Sequence, residues 1–190
     1  MQRPGGIIFL NGASSSGKST LARAIQARIS VPFWHYSIDH YRDSNVLPMD
    51  RIKTGEFEWR ELRVAFFHGF HASIPALVNA GNNIILEHIV EDELWFKRNL
   101  ASALLGQDVF FVGVHCPVEE LERRERVRGN RPIGDAGKDF ARVHAHCVYD
   151  CEIDSSEELD SNVARVCREW SDRSSSGAFN AVAETWLSLT

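Results

Sequence analysis

The sequence predicts an α/β domain in which a central parallel β-sheet lies between two layers of helices. Short apolar runs alternate along the chain with longer segments whose apolar residues recur three or four positions apart, as in amphipathic helices. The run at residues 109–114 is apolar almost throughout. Such a run is typical of a parallel strand that helices cover on both faces.

A strand, a glycine-rich loop and a helix are predicted at the start of the chain. Residues 6–10 have strand character, and residues 18–29 carry apolar side chains at helical spacing. Between them, residues 12–19 read GASSSGKS and fit the phosphate-binding pattern G-x-x-x-x-G-K-[ST]. Because the strand and the helix supply the context that this pattern requires, we predict a nucleoside-triphosphate site.

The loop suits phosphate because glycines let the backbone approach an anion, and because N–H groups at a helix N-terminus attract negative charge. Lys18 is expected to reach the β- and γ-phosphates of ATP and to act in catalysis, while the Ser19 hydroxyl binds Mg²⁺. The predicted nucleotide-binding residues of the loop are Gly12, Ala13, Ser14, Ser15, Ser16, Gly17, Lys18, Ser19 and Thr20.

A second strand is predicted at residues 35–38, ending at Asp39. Ligands of an open parallel sheet bind beyond the carboxyl ends of its strands, so Asp39 is expected at the rim that holds the phosphate loop. There its carboxylate could accept the proton of a substrate hydroxyl or hold a Mg²⁺-bound water, and a plain helix N-cap is the alternative. Residues 40–55 carry loop signals and are expected to cover a substrate.

Residues 57–80 predict a long helix rich in aromatic side chains, which Pro75 is expected to kink or divide. His68 and His71 lie on it. No third ligand for a metal ion is evident, so ordinary polar positions are favoured for both histidines.

A third strand is predicted at residues 84–86, ending at Glu87 and His88. An acidic residue after such a strand, in a chain with a phosphate-binding loop, suggests a group that acts on Mg²⁺ directly or through water. Glu87 is therefore the second predicted metal ligand beside Ser19. His88 is more often structural at such a position.

An arginine-rich segment, residues 119–131, follows the fourth strand. Three Glu–Arg pairs at i,i+4 spacing would explain it as a solvated helix face. Arg128 and Arg131, however, flank a Gly-Asn turn and are better placed to swing over a polyphosphate, which predicts a lid at about 124–138.

Three further elements are predicted in the last third of the chain. They are a helix at 138–148, a fifth strand at 149–154, and a long final helix that Ser155 or Ser156 caps. The tail from residue 172 is expected to be a short docked helix or partly disordered.

The composition suits one domain of 190 residues, with 44% hydrophobic and 25% charged residues. A net charge of −5 argues against a general nucleic-acid or membrane-surface binder. No apolar run approaches the roughly 20 residues of a membrane span.

Four cysteines without C-x-x-C spacing indicate reduced thiols and a cytoplasmic protein. Nothing decides the oligomeric state, so a homo-oligomer stays open.

Several motifs, occurring in one order from residue 7 to about 170, resemble those of the chloramphenicol phosphotransferase-like proteins. These are P-loop kinases that phosphorylate a hydroxyl of the antibiotic with ATP. The motifs are residues 10–19, 37–39, 112–116, 124–125, 128–131, 143–144, 149–150 and 152–154. By this resemblance Asp39 is the base that deprotonates the acceptor hydroxyl, and Arg128 and Arg131 are lid residues. Arg124, in the same motif, is placed with the nucleotide-binding residues.

The resemblance implies a kinase-type P-loop NTPase: a three-layer sandwich with a central parallel five-stranded sheet and a small Arg-bearing lid. The length of the chain predicts a single domain over residues 1–190. It further implies a phosphotransferase that uses ATP and Mg²⁺ and acts on a small-molecule hydroxyl acceptor. The acceptor-binding segment, about residues 40–75, is shorter and differently composed than in the antibiotic kinase, and Glu87-His88 replaces an Asp-Asp pair. Chloramphenicol is therefore one candidate acceptor. A nucleotide-binding regulatory module, and a nucleoside-monophosphate or sugar-acid kinase of similar fold, are the alternatives.

Overall fold

A computed structural model of the chain describes residues 3–128, 134–140, 142–174 and 177–189, without the side chains of residues 128, 135 and 136. Strands and helices alternate over most of this length. In chain order they are β1 Ile7–Asn11, α1 Lys18–Arg28, β2 Phe33–Ser37, α2 Ile38–Asp43, α3 Met49–Lys53, α4 Trp59–Asn79, β3 Asn83–His88, α5 Leu94–Leu104, β4 Val109–His115, α6 Val118–Arg128, α7 Asp135–Phe140, β5 Cys151–Asp154, α8 Leu159–Asp172 and α9 Ala178–Ser188.

The five strands form one parallel sheet in the order β2-β3-β1-β4-β5. β1 therefore lies in the middle of the sheet, between β3 and β4. The predicted parallel sheet of five strands is confirmed. Because the strands are parallel, the loops after β1, β2 and β3 all leave the sheet at one edge.

The two faces of β1 divide the hydrophobic core into two layers, because successive side chains of a strand point to opposite faces. Ile7 and Phe9 pack with side chains from α4, α5 and α9. Ile8 and Leu10 pack with side chains from α1 and α8. Helices thus cover both faces of the sheet, as the three-layer prediction requires.

The segment after β2 differs from the prediction. Residues 40–55, expected as a loop, contain part of α2 and all of α3. The long helix α4 is continuous from Trp59 to Asn79, so Pro75 does not divide it. Its buried side chains, which include Phe70, Ile74 and Val78, hold both sides of the proline against the core. Tertiary packing there outweighs the loss of one backbone hydrogen bond.

The C-terminal part also corrects two predictions. The helix expected at 138–148 is the shorter α7, which ends at Phe140. The long helix α8 starts at Leu159 rather than at Ser155 or Ser156, and its N-cap is Glu158. Ser156 instead belongs to a turn at Asp154, where its N–H and its hydroxyl both donate to the Asp154 carboxylate. With this turn in place, the N-cap of α8 lies two or three residues later than predicted.

The tail docks as α9 and is well packed. It buries Phe179, Val182, Ala183 and Trp186 in the layer that also covers β1.

All four cysteines are free thiols. None of the helices that the structure describes combines the length and apolar character needed to cross a bilayer.

Candidate active site

The loops that leave the carboxyl ends of β1, β2 and β3 meet at one rim of the sheet. The register pairs Leu10 of β1 with Glu87 of β3, and Ser37 of β2 with the same Glu87. Glu87 is therefore central in this rim, between the start of the glycine-rich loop and the start of α2. The predicted convergence of the loop, Glu87 and the Asp39 region is what the topology produces.

The glycine-rich loop has the backbone that close approach to an anion requires. Gly17, the N-cap of α1, has φ +90°, and Ser15 has φ +63°. At Gly12 a Cβ atom would lie 2.5 Å from the carbonyl oxygen of Val114, so no larger residue fits there. The first turn of α1 carries no acidic residue and its N-cap has no side-chain hydrogen bond. No acidic side chain therefore offsets the positive end of the helix dipole at this turn, and that end can attract an anion.

Lys18 is buried and bound to the loop that precedes it. Its Nζ donates to the carbonyl oxygens of Gly12 and Ala13, at 2.8 and 2.7 Å. The ammonium group is therefore folded back along the phosphate-binding loop. Ser16 supports the same interpretation: in the described part of the chain its Oγ is the one enclosed side-chain polar atom without a hydrogen-bond partner. Both features suit a loop built to receive phosphate oxygens.

Ser19 and Glu87, the two predicted metal ligands, are in direct contact. The Ser19 hydroxyl donates to Glu87 Oε1 at 2.8 Å, and His35 Nε2 donates to Glu87 Oε2 at 2.8 Å. Burial alone would raise the pKa of Glu87, but the bond from His35, the charge of Lys18 and the bond from Ser19 outweigh it and lower that pKa. Glu87 is therefore a carboxylate at neutral pH. His35 was not predicted, because its partner comes from a strand about fifty residues later.

A hydroxyl and an ionised carboxylate are oxygen donors of the kind that Mg²⁺ prefers. Among the described residues there is no group of three or more His, Cys, Asp or Glu side chains that could hold a metal by themselves. Mg²⁺ usually keeps several waters and binds through one or two protein groups together with substrate phosphates. The pair Ser19 and Glu87 fits that mode of binding.

Asp39 lies in the first turn of α2 and not at the end of a strand as predicted, because β2 already ends at Ser37. The N-cap is Ser37, whose hydroxyl accepts from the Asp39 N–H at 3.3 Å, so the cap alternative for Asp39 is wrong. The Asp39 carboxylate forms an ion pair with Arg42 at 3.0 Å, and Arg42 also pairs with Asp43. The i,i+3 spacing of Asp39 and Arg42 could have suggested this pair, had a helix been predicted there.

One cleft of about 850 Å³ connects these groups. Its nucleotide side is formed by residues 14–20 of the loop and by Arg124, and its far side by Asp39, Arg42, Trp59, Phe67, His88 and Glu91. The aromatic side chains at the far side come from the N-terminal half of α4. The predicted acceptor-binding segment at about 40–75 thus contributes Arg42, Trp59 and Phe67 to the wall.

Arg124 lies against the phosphate-binding loop. Its Nη1 and Nη2 donate to the hydroxyl and carbonyl oxygens of Ser155, at 3.1 and 2.9 Å, and its Nε donates to Glu120 at 2.7 Å. A Cβ atom at Gly17 would lie 3.3 Å from Arg124 Nη1, which places the guanidinium beside the loop. Of the two predicted lid arginines, Arg131 and the side chain of Arg128 lie outside the described residues.

Asp139 of α7 also contacts the phosphate-binding loop. Its Oδ2 accepts a hydrogen bond from the backbone N–H of Ser14 at 3.0 Å. A carboxylate here occupies a donor of the anion-binding loop. This contact was not predicted, since it joins segments 125 residues apart.

Two histidines form a buried pair behind the far wall of the cleft. His71 of α4 has none of its surface exposed, so its predicted assignment as an ordinary polar position is wrong, while His68 on the same helix is exposed. His71 Nε2 lies 2.9 Å from His88 Nε2, and His71 Nδ1 is hydrogen-bonded to Asn99 Oδ1. Burial lowers the pKa of His71 to about 4, and burial and His71 together hold that of His88 well below its ordinary value. Both imidazoles are therefore neutral at physiological pH.

Comparison with known proteins identifies relatives of this arrangement. The model of the family described as "Chloramphenicol phosphotransferase-like protein" matches residues 5–171. A protein of Mycobacterium tuberculosis, named "Putative O-phosphotransferase" in two strains, is 29% identical over 187 residues, which cover 87% of this chain and 81% of the relative.

Solved structures share the fold at low sequence identity. The APS kinase of Mycobacterium tuberculosis, in complex with AMPPNP and APS, is similar with a TM-score of 0.62 and 16% identity, over 90% of this chain and 99% of the other. A gluconokinase from Sinorhizobium meliloti is similar with a TM-score of 0.56 and 18% identity, over 92% and 99%. The fold is that of P-loop kinases.

Proposed function

This chain belongs to the family of chloramphenicol phosphotransferase-like proteins, and we propose that it transfers the γ-phosphoryl group of ATP to a hydroxyl of a small molecule. The observation that carries the proposal is the single cleft that joins the phosphate-binding loop to Asp39 and an aromatic wall. A nucleotide at the loop and an acceptor at the wall would share this space.

The loop would bind the triphosphate through its N–H groups, and Lys18 would turn from the carbonyls of Gly12 and Ala13 to the β- and γ-phosphates. Ser19 and Glu87 would hold Mg²⁺, directly or through water. When bound, the ion supplies positive charge that neutralises the phosphate oxygens. In this arrangement His35 serves to orient Glu87.

Asp39 would be the general base. Its carboxylate would take the proton of the acceptor hydroxyl as the hydroxyl oxygen forms a bond to the γ-phosphorus and the bond to the ADP oxygen breaks. Arg42 holds the carboxylate through their ion pair, and Asp39 lines the cleft. A group that both accepts the proton and is fixed in position suits this role.

The remaining roles concern the rim of the cleft. Arg124, beside Gly17, would contact the nucleotide, and Arg128 and Arg131 would close over the phosphates as part of a lid at about 124–138. Residues 40–75 would form the acceptor-binding segment of a single domain that spans residues 1–190.

The acceptor is a small molecule with a hydroxyl group, and chloramphenicol is one candidate. A panel of acceptors incubated with Mg·[γ-³²P]ATP tests the proposal, with chloramphenicol, gluconate, shikimate, nucleoside monophosphates and aryl alcohols as members. We expect transfer of label to at least one acceptor that carries a free hydroxyl. Binding of ATP without transfer to any of them would favour a nucleotide-binding regulatory module instead.

A further inference from the structure

Asn11 is the last residue of the central strand β1 and stands directly before Gly12 of the phosphate-binding loop. The residue is completely buried. Its side chain is hydrogen-bonded to Val90, Val143 and Tyr149, which lie 79, 132 and 138 residues further along the chain, so none of these contacts is local. One amide group therefore joins the start of the loop to two segments from distant parts of the sequence.

The backbone partners of Asn11 fix the orientation of its amide. Oδ1 accepts a hydrogen bond from the Val90 N–H at 2.9 Å, and Nδ2 donates to the Val143 carbonyl oxygen at 2.8 Å. Since a backbone N–H can only donate and a carbonyl oxygen can only accept, turning the amide over would break two buried bonds. Nδ2 also donates to Tyr149 Oη at 2.8 Å. The amide is thus held on three sides.

Tyr149 extends this attachment to the end of a second strand. Its Oη lies 2.7 Å from His144 Nδ1, and because Oη accepts from Asn11, its own hydrogen is available to that nitrogen. The ring covers Gly113 of β4, where a Cβ atom would lie 2.7 Å from it. Residues 142–149, which we call the return segment, are therefore fixed on the ends of β1 and β4.

The two segments that Asn11 holds belong to different parts of the proposed site. The loop between β3 and α5, residues 89–93, contributes Ile89 and Glu91 to the lining of the cleft. The return segment follows the lid proposed at about 124–138. Asn11 is thus a shared attachment for the phosphate-binding loop, a wall of the cleft and the chain that leads back from the lid.

Close packing connects the same parts. Val143 of the return segment, Ala13 of the phosphate-binding loop and Leu121 of α6 belong to one buried cluster. Buried side chains are packed too densely for one partner to shift or become ordered without the others. A phosphate bound at the N–H groups of the loop would order the loop, and the amide of Asn11 would order the segments bonded to it.

We propose that Asn11 is a positioning residue, which transmits nucleotide binding from the phosphate-binding loop to the β3–α5 loop and to the return segment. The inference rests on the proposed function and deepens it, by naming the group that aligns the cleft wall and the lid with the bound triphosphate. Because Asn11 is completely buried, it touches neither substrate and acts only through its three partners. Loss of this alignment would slow the transfer step while both substrates still bind.

Amide hydrogen exchange measures this transmission without any acceptor. Native protein is compared with and without saturating Mg·AMPPNP, and we expect the nucleotide to slow exchange in residues 89–93 and 142–149 as well as in the loop. The variant Tyr149→Phe removes one hydroxyl and keeps the ring over Gly113. In it the nucleotide-induced protection of 89–93 should persist, while that of 142–149 should fall about tenfold, as for the loss of one buried hydrogen bond.

A second variant, Asn11→Leu, removes all three bonds at similar volume. It should abolish the nucleotide-induced protection of both segments. Its affinity for Mg·AMPPNP, measured by calorimetry, should change by less than about threefold, because the N–H groups of the loop and Lys18 carry the binding. Leu104→Ala is the matched control, since Leu104 is completely buried at the end of α5. This control should lose stability and keep the native pattern of protection.

Turnover separates positioning from a loss of folded protein. With the best acceptor of the panel, Tyr149→Phe and Asn11→Leu should lower kcat by roughly 10- to 100-fold, while KM for ATP stays within about threefold of native. Leu104→Ala, assayed well below its Tm, should keep the native kcat. A fall in kcat that only matches the loss of folded protein in all three variants would reduce Asn11 to a structural residue and overturn the proposal.

The outcomes separate this inference from the proposed function. Binding of Mg·AMPPNP without slower exchange in either segment of the native protein would overturn the inference and leave the nucleotide site standing. Full protection of residues 142–149 in Tyr149→Phe would also overturn it. Absence of transfer to every acceptor would contradict the kinase, while the exchange pattern would still decide the role of Asn11. If Asn11→Leu fails to fold, Tyr149→Phe carries the test, because Tyr149 is only partly buried.

Discussion

Ser19 of the phosphate-binding loop and Glu87 at the end of β3 are joined by a hydrogen bond of 2.8 Å. The contact connects two adjacent parallel strands at their carboxyl ends, since Leu10 and Glu87 are paired in register. The hydroxyl at the start of α1 and the carboxylate are thereby fixed in one place before any ligand binds. This pre-arrangement makes the magnesium dependence of the enzyme a direct test of the site.

Replacing Glu87 by Gln should raise the Mg²⁺ concentration required for half-maximal phosphoryl transfer by about 10- to 100-fold, since the charge that orients the ion is lost. Initial rates at saturating ATP, measured across a Mg²⁺ series, provide the value. Glu91→Gln is the matched control, because Glu91 also lines the cleft but is paired with Arg63. An unchanged Mg²⁺ requirement in Glu87→Gln would remove Glu87 from the metal site.

Replacing Lys18 by Ala should lower kcat by roughly 10²–10³-fold, as expected for a cation lost from the transferring phosphoryl group. Because the Lys18 ammonium also binds the carbonyls of Gly12 and Ala13, the loop should become less ordered as well. The stabilisation of the native protein by Mg·ATP, measured as a rise in Tm, should shrink in the variant. Lys53→Ala, at an exposed lysine, should behave as native. No rise in Tm of the native protein at millimolar Mg·ATP would refute the nucleotide site.

Replacing Asp39 by Asn should lower kcat by about 10²–10⁴-fold, the usual contribution of a general base. Nucleotide affinity should change little, because the loop and Lys18 carry that binding. Asp43→Asn is a close control, since Asp43 pairs with the same Arg42 but is more exposed. Equal transfer by native protein and Asp39→Asn would show that Asp39 is not the base.

The two predicted lid arginines, Arg128 and Arg131, are expected to act in turnover rather than in folding. Changing Arg128 or Arg131 to Ala should reduce kcat well beyond any change in the free energy of unfolding. Arg126→Ala serves as the control, because Arg126 lies on the same segment and pairs with Glu122 at 3.7 Å. Native turnover in both lid variants would leave these arginines as a solvated helix end.

The buried histidine pair predicts a loss of stability in acid. Burial lowers the pKa of His71 from 6.5 to about 4, so between these values the unfolded chain binds a proton that the folded chain does not. Stability should therefore fall as the pH drops from about 6.5 to about 4, by up to about 3 kcal/mol from this residue. Urea unfolding at pH 7 and pH 4.5 measures the difference.

His71→Phe should be less stable than native protein at pH 7, because His88 and Asn99 lose their partner. Its stability should nevertheless depend less on pH in this window. His68→Phe should keep the native dependence, as His68 is exposed. The same pH dependence in native protein and His71→Phe would contradict the assignment of the loss to His71.

The strands and the phosphate-binding loop were predictable because their signals are local. An apolar run such as 109–114 needs no knowledge of its neighbours to be identified as a buried strand, and the loop pattern is contained in eight residues. The helices α2 and α3 were missed because helices of five or six residues have little stability of their own. They form where tertiary contacts hold them, and the sequence around Pro48 carries only turn signals.

Within the site, the residues that were missed are those whose role depends on a distant partner. His35 matters because Glu87 lies on the adjacent strand, and His71 matters because His88 and Asn99 pack against it. These partners are 17 to 52 residues away in the chain. No periodicity or spacing in a single sequence indicates such pairs, and the sequence analysis therefore favours an ordinary polar position for His71.

The contact between Asp139 and the Ser14 N–H has a consequence for how a nucleotide would enter. A phosphate group that binds the loop as proposed would compete with this carboxylate for the same donor, and two anions cannot share it cheaply. When a nucleotide binds, its phosphate would then replace the Asp139 carboxylate at the Ser14 N–H, and α7 would lose this contact with the loop. The affinity measured for ATP would be the difference between two interactions with the loop.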